Sequence, residues 1–223
     1  MASWFRWLGL IVISVLVIAC GGGPSLLAEA AASLERAGSY KVDYRLTTFL
    51  EGTEKPVVGS GLIDFEGLSR WRTRQGPAEI VAEGSTLYVR TGEAFRVEEM
   101  VELPIHPFLY LQAAVDIKRT EGTEADRAFS FVVDREQYRK SLRQALGRIP
   151  IALAVVLDCF DGSGEVTLDA GGRPVSMRLH LRDSSSVRRN TRQELELLFL
   201  KPGDCSPQAS ATTLPSQPVG GGL

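Results

Sequence analysis

Val175, Met177, Leu179 and Leu181 alternate with Ser176, Arg178, His180 and Arg182. A period of two fits an extended strand with one buried and one wet face, and not a helix. The same alternation sets Tyr40, Val42, Tyr44 and Leu46 against Lys41, Asp43, Arg45 and Thr47. It sets Ile63 and Phe65 against Asp64 and Glu66, and Val166 and Leu168 against Glu165, Thr167 and Asp169. Leu195, Leu197 and Phe199 repeat it near the end. Shorter runs around Trp71, Ile80, Leu87 and Phe95 are separated by Glu83-Gly-Ser85 and Thr91-Gly-Glu93. Short alternating runs between turn signals predict an antiparallel meander whose apolar face needs a cover.

Helical periodicity supplies that cover. Leu27, Ala30, Ala31 and Leu34 share one face of a helix over 26–37, which Gly38 can stop. A second helical stretch is expected at 104–114, followed by strands at 115–120 and 127–133. Asp134 with Gln137 forms a capping-box pattern ahead of a third helix carrying Tyr138, Leu142, Ala145 and Leu146 on one face, with Gly147 as its stop. That helix also carries Arg135, Arg139, Lys140, Arg143 and Arg148; they read as a solvated face or as a surface attracted to an anionic bilayer. The apolar run 151–157 suits a strand or a buried helix equally, and Asp161-Gly-Ser-Gly164 reads as a turn.

The N-terminus addresses the compartment. Arg6 is the only charge before Glu29, and the apolar run that follows it, about a dozen residues, falls short of the ~20 that a spanning helix needs. Val17-Ile-Ala-Cys20-Gly21 closes the segment as a bacterial lipobox does, in which the cysteine is acylated (palmitate or a similar chain) and the chain is cut before it. An uncleaved anchor and a plain signal peptide containing an incidental cysteine are the alternatives. The expected organisation is therefore a signal peptide over 1–19, an acylated Cys20 and tether over 20–25, one domain over 26–205, and a disordered Pro/Ser/Thr/Gly tail over 206–223. The protein would sit at the cell membrane, lipid-anchored on the extracytoplasmic side. Cys159 and Cys205 then remain, as a disulfide suited to an exported chain or as two separate thiols.

Pro77-Ala-Glu-Ile-Val-Ala-Glu-Gly-Ser-Thr-Leu-Tyr-Val-Arg90 and Gly164-Glu-Val-Thr-Leu-Asp-Ala-Gly-Gly-Arg-Pro-Val175, behind a lipobox and in this order of elements, resemble the LppX/LprG family of envelope lipoproteins, relatives of the LolA-like lipoprotein carriers. The likeness spans roughly residues 26–200. It implies an α+β fold: a strongly curved antiparallel sheet, a half-barrel, with helices covering its concave face around a cavity for acyl chains. Val42, Tyr44, Leu46, Ile63, Phe65, Val166, Leu168, Met177 and Leu179 are the candidate lining residues, each of which could equally be ordinary core.

Composition excludes other classes. A net charge of −2 lacks the basic excess of a nucleic-acid binder. Two histidines and three cysteines leave little for a transition-metal site, and no metal or other cofactor is expected. Gly-x-Ser-x-Gly and phosphate-loop patterns are absent, and His106 and His180 have no nucleophile beside them in sequence, so no enzyme is expected. Asp158 to Glu165 does not match the calcium-loop spacing. The expected function is membrane-anchored binding or transport of lipids, glycolipids or acyl chains. Its partners would be the membrane through Cys20, a lipid or glycolipid ligand and an envelope transporter. An anchored interaction or sensor domain with a filled core is the rival, and an envelope hydrolase the weaker third.

Overall fold

The computed structural model describes residues 22–120, 126–183 and 191–201. The signal segment, Cys20, Cys205, the tail over 206–223 and the loop over 184–190 lie outside them. In chain order the elements are α1 (Gly22–Ala37), β1 (Ser39–Phe49), β2 (Val57–Glu66), β3 (Arg70–Gln75), β4 (Ala78–Glu83), β5 (Thr86–Thr91) and β6 (Ala94–Glu99). There follow α2 (Pro107–Gln112), β7 (Ala114–Arg119), β8 (Arg127–Val133), α3 (Arg135–Leu146), α4 (Ile151–Asp158), β9 (Phe160–Leu168), β10 (Pro174–Asp183) and β11 (Thr191–Phe199).

All eleven strands join one open sheet in the order β6-β5-β4-β3-β2-β1-β11-β10-β9-β8-β7. Every neighbouring pair is antiparallel. Two meanders are thus joined at the centre by β1 and β11, the only pair of neighbours distant in sequence. The register carries the alternation across strands. Tyr44 stands opposite Leu197, Leu197 opposite Met177, Met177 opposite Val166, and Val166 opposite Phe129. One row along, Leu46, Leu195, Leu179, Gly164 and Phe131 face each other in turn. Directly opposed residues share a face, so these rows make a continuous apolar surface.

That surface and the helices share one core. Leu27, Ala30, Ala31 and Leu34 of α1, Phe108 to Leu111 of α2, Tyr138 and Leu142 of α3 and Leu153 and Leu157 of α4 belong to the same buried cluster as Val42, Phe65, Leu168 and Leu179 of the sheet. α1 packs on α2, β7 and β1, and α2 packs on α3. Only the N-cap half of the capping box is formed: the Asp134 carboxylate accepts from the Gln137 backbone N–H at 2.7 Å, while the Asp134 backbone N–H donates to the Ala113 carbonyl at 2.8 Å, and Gly147 closes the helix at φ 76°.

Two sequence expectations change and one open alternative is resolved. α1 begins at Gly22, four residues ahead of the start expected for that helix; Pro24 is tolerated there because the opening N–H groups of a helix need no intrahelical acceptor. The ambiguous run 151–157 is helix α4, which buries Leu153, Val156 and Leu157 and leaves Ile151 and Val155 exposed, a 3.6-residue spacing that its uniform apolarity hid. Asp161-Gly-Ser-Gly164 is strand rather than turn. A Cβ on Gly162 would lie 2.9 Å from the Phe160 ring, and one on Gly164 would lie 2.6 Å from the Phe131 ring and 2.7 Å from Leu179 Cδ2. These glycines are therefore places where large neighbours lie across the strand, not chain reversals.

Two cations of α3, and Arg148 just beyond its end, are engaged within the protein. Arg135 donates to the Phe160 carbonyl at 2.9 Å and the Asp158 carbonyl at 2.7 Å, and reaches the Asp161 carboxylate at 3.0 Å. Arg139 pairs with Asp158 and Glu136, and Arg148 with Glu99 at 2.7 Å. This part of the basic face ties α3 to the end of α4, the start of β9 and the edge strand β6.

Candidate functional site

The nine residues expected to line a cavity come together on one face of the sheet. Val42, Ile63, Phe65, Val166, Leu168, Met177 and Leu179 are at most 2% exposed and Tyr44 is 3% exposed, while Leu46 is half-buried. The eight enclosed side chains belong to one buried cluster with the helix side chains. In this state the middle of the apolar face is packed solid.

Space opens at one end of that core. A cavity of about 660 Å³ lies between the last turn of α1 (Ser33, Leu34, Ala37), the start of β1, the end of β2, the Arg173–Pro174 turn and the end of β11. Its apolar walls are Leu34, Ala37, Tyr40, Phe65, Pro174 and Phe199. Gly38 makes this arrangement possible: its φ of 68° turns the chain from helix directly into strand, and its N–H returns to the Glu35 carbonyl at 3.1 Å. The backbone N–H of Leu200 donates to the Lys41 carbonyl at 3.0 Å and fixes the opposite wall.

Aromatic rings make the floor. Tyr40 stacks on Phe65 with centroids 4.7 Å apart and on Phe199 at 6.1 Å. Behind Phe65, at 4.6 Å, lies the His106 ring. His106 is 2% exposed, and its Nε2 lies 3.4 Å from the Gly67 carbonyl oxygen. Burial pushes the His106 pKa down to about 4, so the imidazole is neutral at pH 7. Burial likewise raises the pKa of the Tyr40 phenol, which stays protonated. Among the described residues, neither Tyr40 Oη nor His106 Nδ1 has a hydrogen-bond partner.

The mouth is charged. Lys41 lies 3.1 Å from Asp64, and Arg72 bridges Asp64 at 3.8 Å and Glu66 at 3.4 Å. Arg173 pairs with Asp169 at 3.0 Å, and the hydrogen bond from the Arg173 backbone N–H, aided by its guanidinium, lowers the Asp169 pKa. These pairs are solvated, so they shape the rim more than they stabilise the fold. A second hollow, about 590 Å³ on the charged face of the sheet, is lined by Asp43, Arg45, Glu165, Arg178 and Glu196 among others and offers hydrocarbon no comparable wall.

Sequence reasoning placed Phe65 at the site but missed Leu34, Ala37, Tyr40, Pro174 and Phe199 as its walls. Tyr40 and Phe199 stood in the alternation, and only the closing of β11 onto β1 puts them at one cavity. Cys159 is half-buried at the end of α4; Cys20 and Cys205 lie outside the described residues, and so does the pairing of Cys159 with Cys205. His180 is exposed on β10. No group of three or more metal-ligating side chains occurs among the described residues, and among these no helix is long and apolar enough to cross a membrane.

No family model matches the chain, and no curated protein matches it. Solved structures do resemble it. A LolA superfamily protein from Nitrosomonas europaea is similar over 79% of this chain and 90% of its own, at 9% identity and a TM-score of 0.38. LprF from Mycobacterium bovis is similar over 80% of this chain and 91% of its own, at 10% identity and a TM-score of 0.35.

Proposed function

We propose that this chain is a membrane-anchored envelope lipoprotein that binds or carries lipids by their acyl chains, without chemical turnover. The observation that carries this reading is the cavity at the end of the core, walled by Leu34, Phe65, Pro174 and Phe199 and rimmed by charge. An acyl chain gains about 0.8 kcal/mol for each CH₂ it buries, so a cavity of this kind holds an aliphatic tail while the charged rim faces its head. In this reading the sheet is the curved half of a barrel, α1 and α2 lie over its concave face, and the packed centre is the empty state that parts as a chain enters. Cys20 holds the protein to the extracytoplasmic side of the membrane, where lipid is at hand, and an envelope transporter is the natural source or recipient.

A test follows from the rim. Ala37 is exposed and lines the cavity. Ala37→Trp is expected to fill the opening without touching the core and to weaken binding of a fluorescent polyene fatty acid at least about tenfold, a loss of about 1.4 kcal/mol. Val97→Trp, on the exposed edge strand β6, is the control and should bind as the parent does. Equal binding by both variants would remove this cavity from the account.

The rival reading, an anchored interaction domain with a filled core, is favoured by one specific observation: eight of the nine sheet residues expected to line a cavity are at most 3% exposed. It predicts no saturable binding of the fatty acid by the parent chain.

A further inference from the structure

The two edges of the sheet are built differently. β7 has a register shift between Val115 and Lys118 and a left-handed residue at Asp116, φ 50°, and α1 packs on it. A bulged and covered edge resists the addition of another strand. β6, at the other end, pairs with β5 from Thr86–Glu99 to Thr91–Ala94 without a shift, and all six of its residues are exposed. Phe95 and Val97, 59% and 60% exposed, stand on one face of it, and Arg96 and Glu98 on the other.

The ladder fixes which backbone groups face outward. The Met100 N–H donates to the Ser85 carbonyl at 2.9 Å, one step beyond the Thr86–Glu99 pair. Hydrogen-bonded pairs alternate along an antiparallel ladder, so Glu98, Arg96 and Ala94 turn their N–H and C=O groups toward β5. Those of Phe95, Val97 and Glu99 point to the open side, where no strand follows among the described residues. A strand added there bonds to these three.

Charge then selects the added strand and its register. Two copies of β6 related by a two-fold axis run antiparallel, and their outward groups meet only when the axis passes through a residue, not between two. Centred on Arg96 or on Glu98, the pairing sets like charges face to face. Centred on Phe95 or on Glu99, it uses at most half of the strand. Centred on Val97, it sets Arg96 against the second copy's Glu98 twice over and Val97 against itself, with Phe95 diagonal to the second copy's Val97. Opposite charges and apolar pairs directly across a ladder stabilise it, and like charges oppose it. Within one chain Arg96 and Glu98 lie 3.6 Å apart, so a second copy completes a ladder of four charges. Glu99, which then stands across from the second copy's Phe95, has its charge answered by Arg148 at 2.7 Å.

We propose that β6 is a self-association surface, on which two copies of this chain join their edge strands antiparallel about Val97. The charges that guard the edge against other registers admit this one. A contact between two short strands falls below the ~1,200 Å² of stable interfaces, so the dimer is weak and reversible.

The test exchanges the charges. The full chain in detergent micelles is followed by native mass spectrometry at rising concentration, and the parent is expected to give dimers. Arg96→Glu alone sets a carboxylate opposite Glu98, and Glu98→Arg alone sets a guanidinium opposite Arg96, so each should weaken dimerisation at least about tenfold. An equimolar mixture of the two variants restores both opposite-charge contacts in the mixed dimer, and the double variant restores them in its own. Both should dimerise as the parent does. Arg96 and Glu98 are exposed, so the urea midpoints should stay with the parent's. A parent that stays monomeric, single variants that dimerise as the parent does, or a mixture that stays monomeric would each overturn the inference.

Discussion

Gly164→Val is expected to destabilise the protein by about 3 kcal/mol, close to a third of the stability of many domains. Gly164 faces Leu179 on one side and Phe131 on the other, within the apolar row. A first carbon there already lies 2.6 Å from Phe131 Cζ, 2.7 Å from Leu179 Cδ2 and 3.0 Å from the Arg178 carbonyl oxygen. Side-chain ends can yield, but a backbone oxygen of the neighbouring strand yields only if the sheet deforms. Two further methyls push both β8 and β10 away. Gly59→Val is the matched control, because nothing lies within 4 Å of a Cβ at Gly59; a β-branched side chain on that exposed stretch of β2 should be neutral or slightly stabilising. Urea midpoints of the two variants check this. Equal midpoints would mean that β8 to β10 are not packed as described.

The stability of the parent chain should fall as pH drops from about 6.5 to about 4, with one share of that fall belonging to His106. The sign follows from burial. In the unfolded chain the imidazole takes a proton near its ordinary pKa of 6.5, whereas in the fold it takes one only near 4. Above pH 6.5 both states hold it neutral and the contribution is nil. Below that, the unfolded state alone gains the proton, so folding loses ground until the folded pKa is reached. At 1.36 kcal/mol per pKa unit the loss approaches about 3 kcal/mol. The ring neighbours Tyr40, Phe65 and Phe108 bring no charge to offset it. His106→Phe should flatten the profile between pH 6.5 and 4.5, a window in which most exposed carboxylates remain ionised. Parallel profiles of urea midpoint against pH for the two proteins would place His106 in water rather than in the core.

Much of the architecture was legible because the alternation is strict. Tyr40 to Leu46 and Met177 to Leu181 each alternate apolar and polar residues, so their strands and buried faces follow directly, whereas the register shift at Val175 has no such signal. The third helix was legible from its ends, Asp134 and Gly147, as well as its stripe. Legibility failed where pattern and composition part. The run Ile151 to Leu157 is apolar on every side, so no stripe marks it as helix α4. Gly162 and Gly164 have the composition of a turn, yet they make room for Phe160 of their own strand and for Val133, Phe131 and Leu179 of the neighbouring ones.

The site was legible only in outline. Strand alternation identifies the face on which Val42, Met177 and Leu179 lie, but not whether that face is packed or open. That depends on how the helix side chains fill it, a property of shape rather than of pattern. The cavity itself draws on residues as far apart as Leu34 and Phe199, brought together by the pairing of β1 with β11. His106, set between prolines in sequence, gave no sign that its ring stacks against Phe65 under the cavity floor.

The central claim, that the fold holds lipid, is tested most directly by native mass spectrometry of the full chain purified from a lipid-containing host. The account predicts a discrete added mass that organic solvent removes, distinct from any covalently attached acyl group and identifiable as a lipid. A protein that carries no removable mass, and acquires none when lipids are offered, would contradict it and would leave the packed apolar face as a core alone.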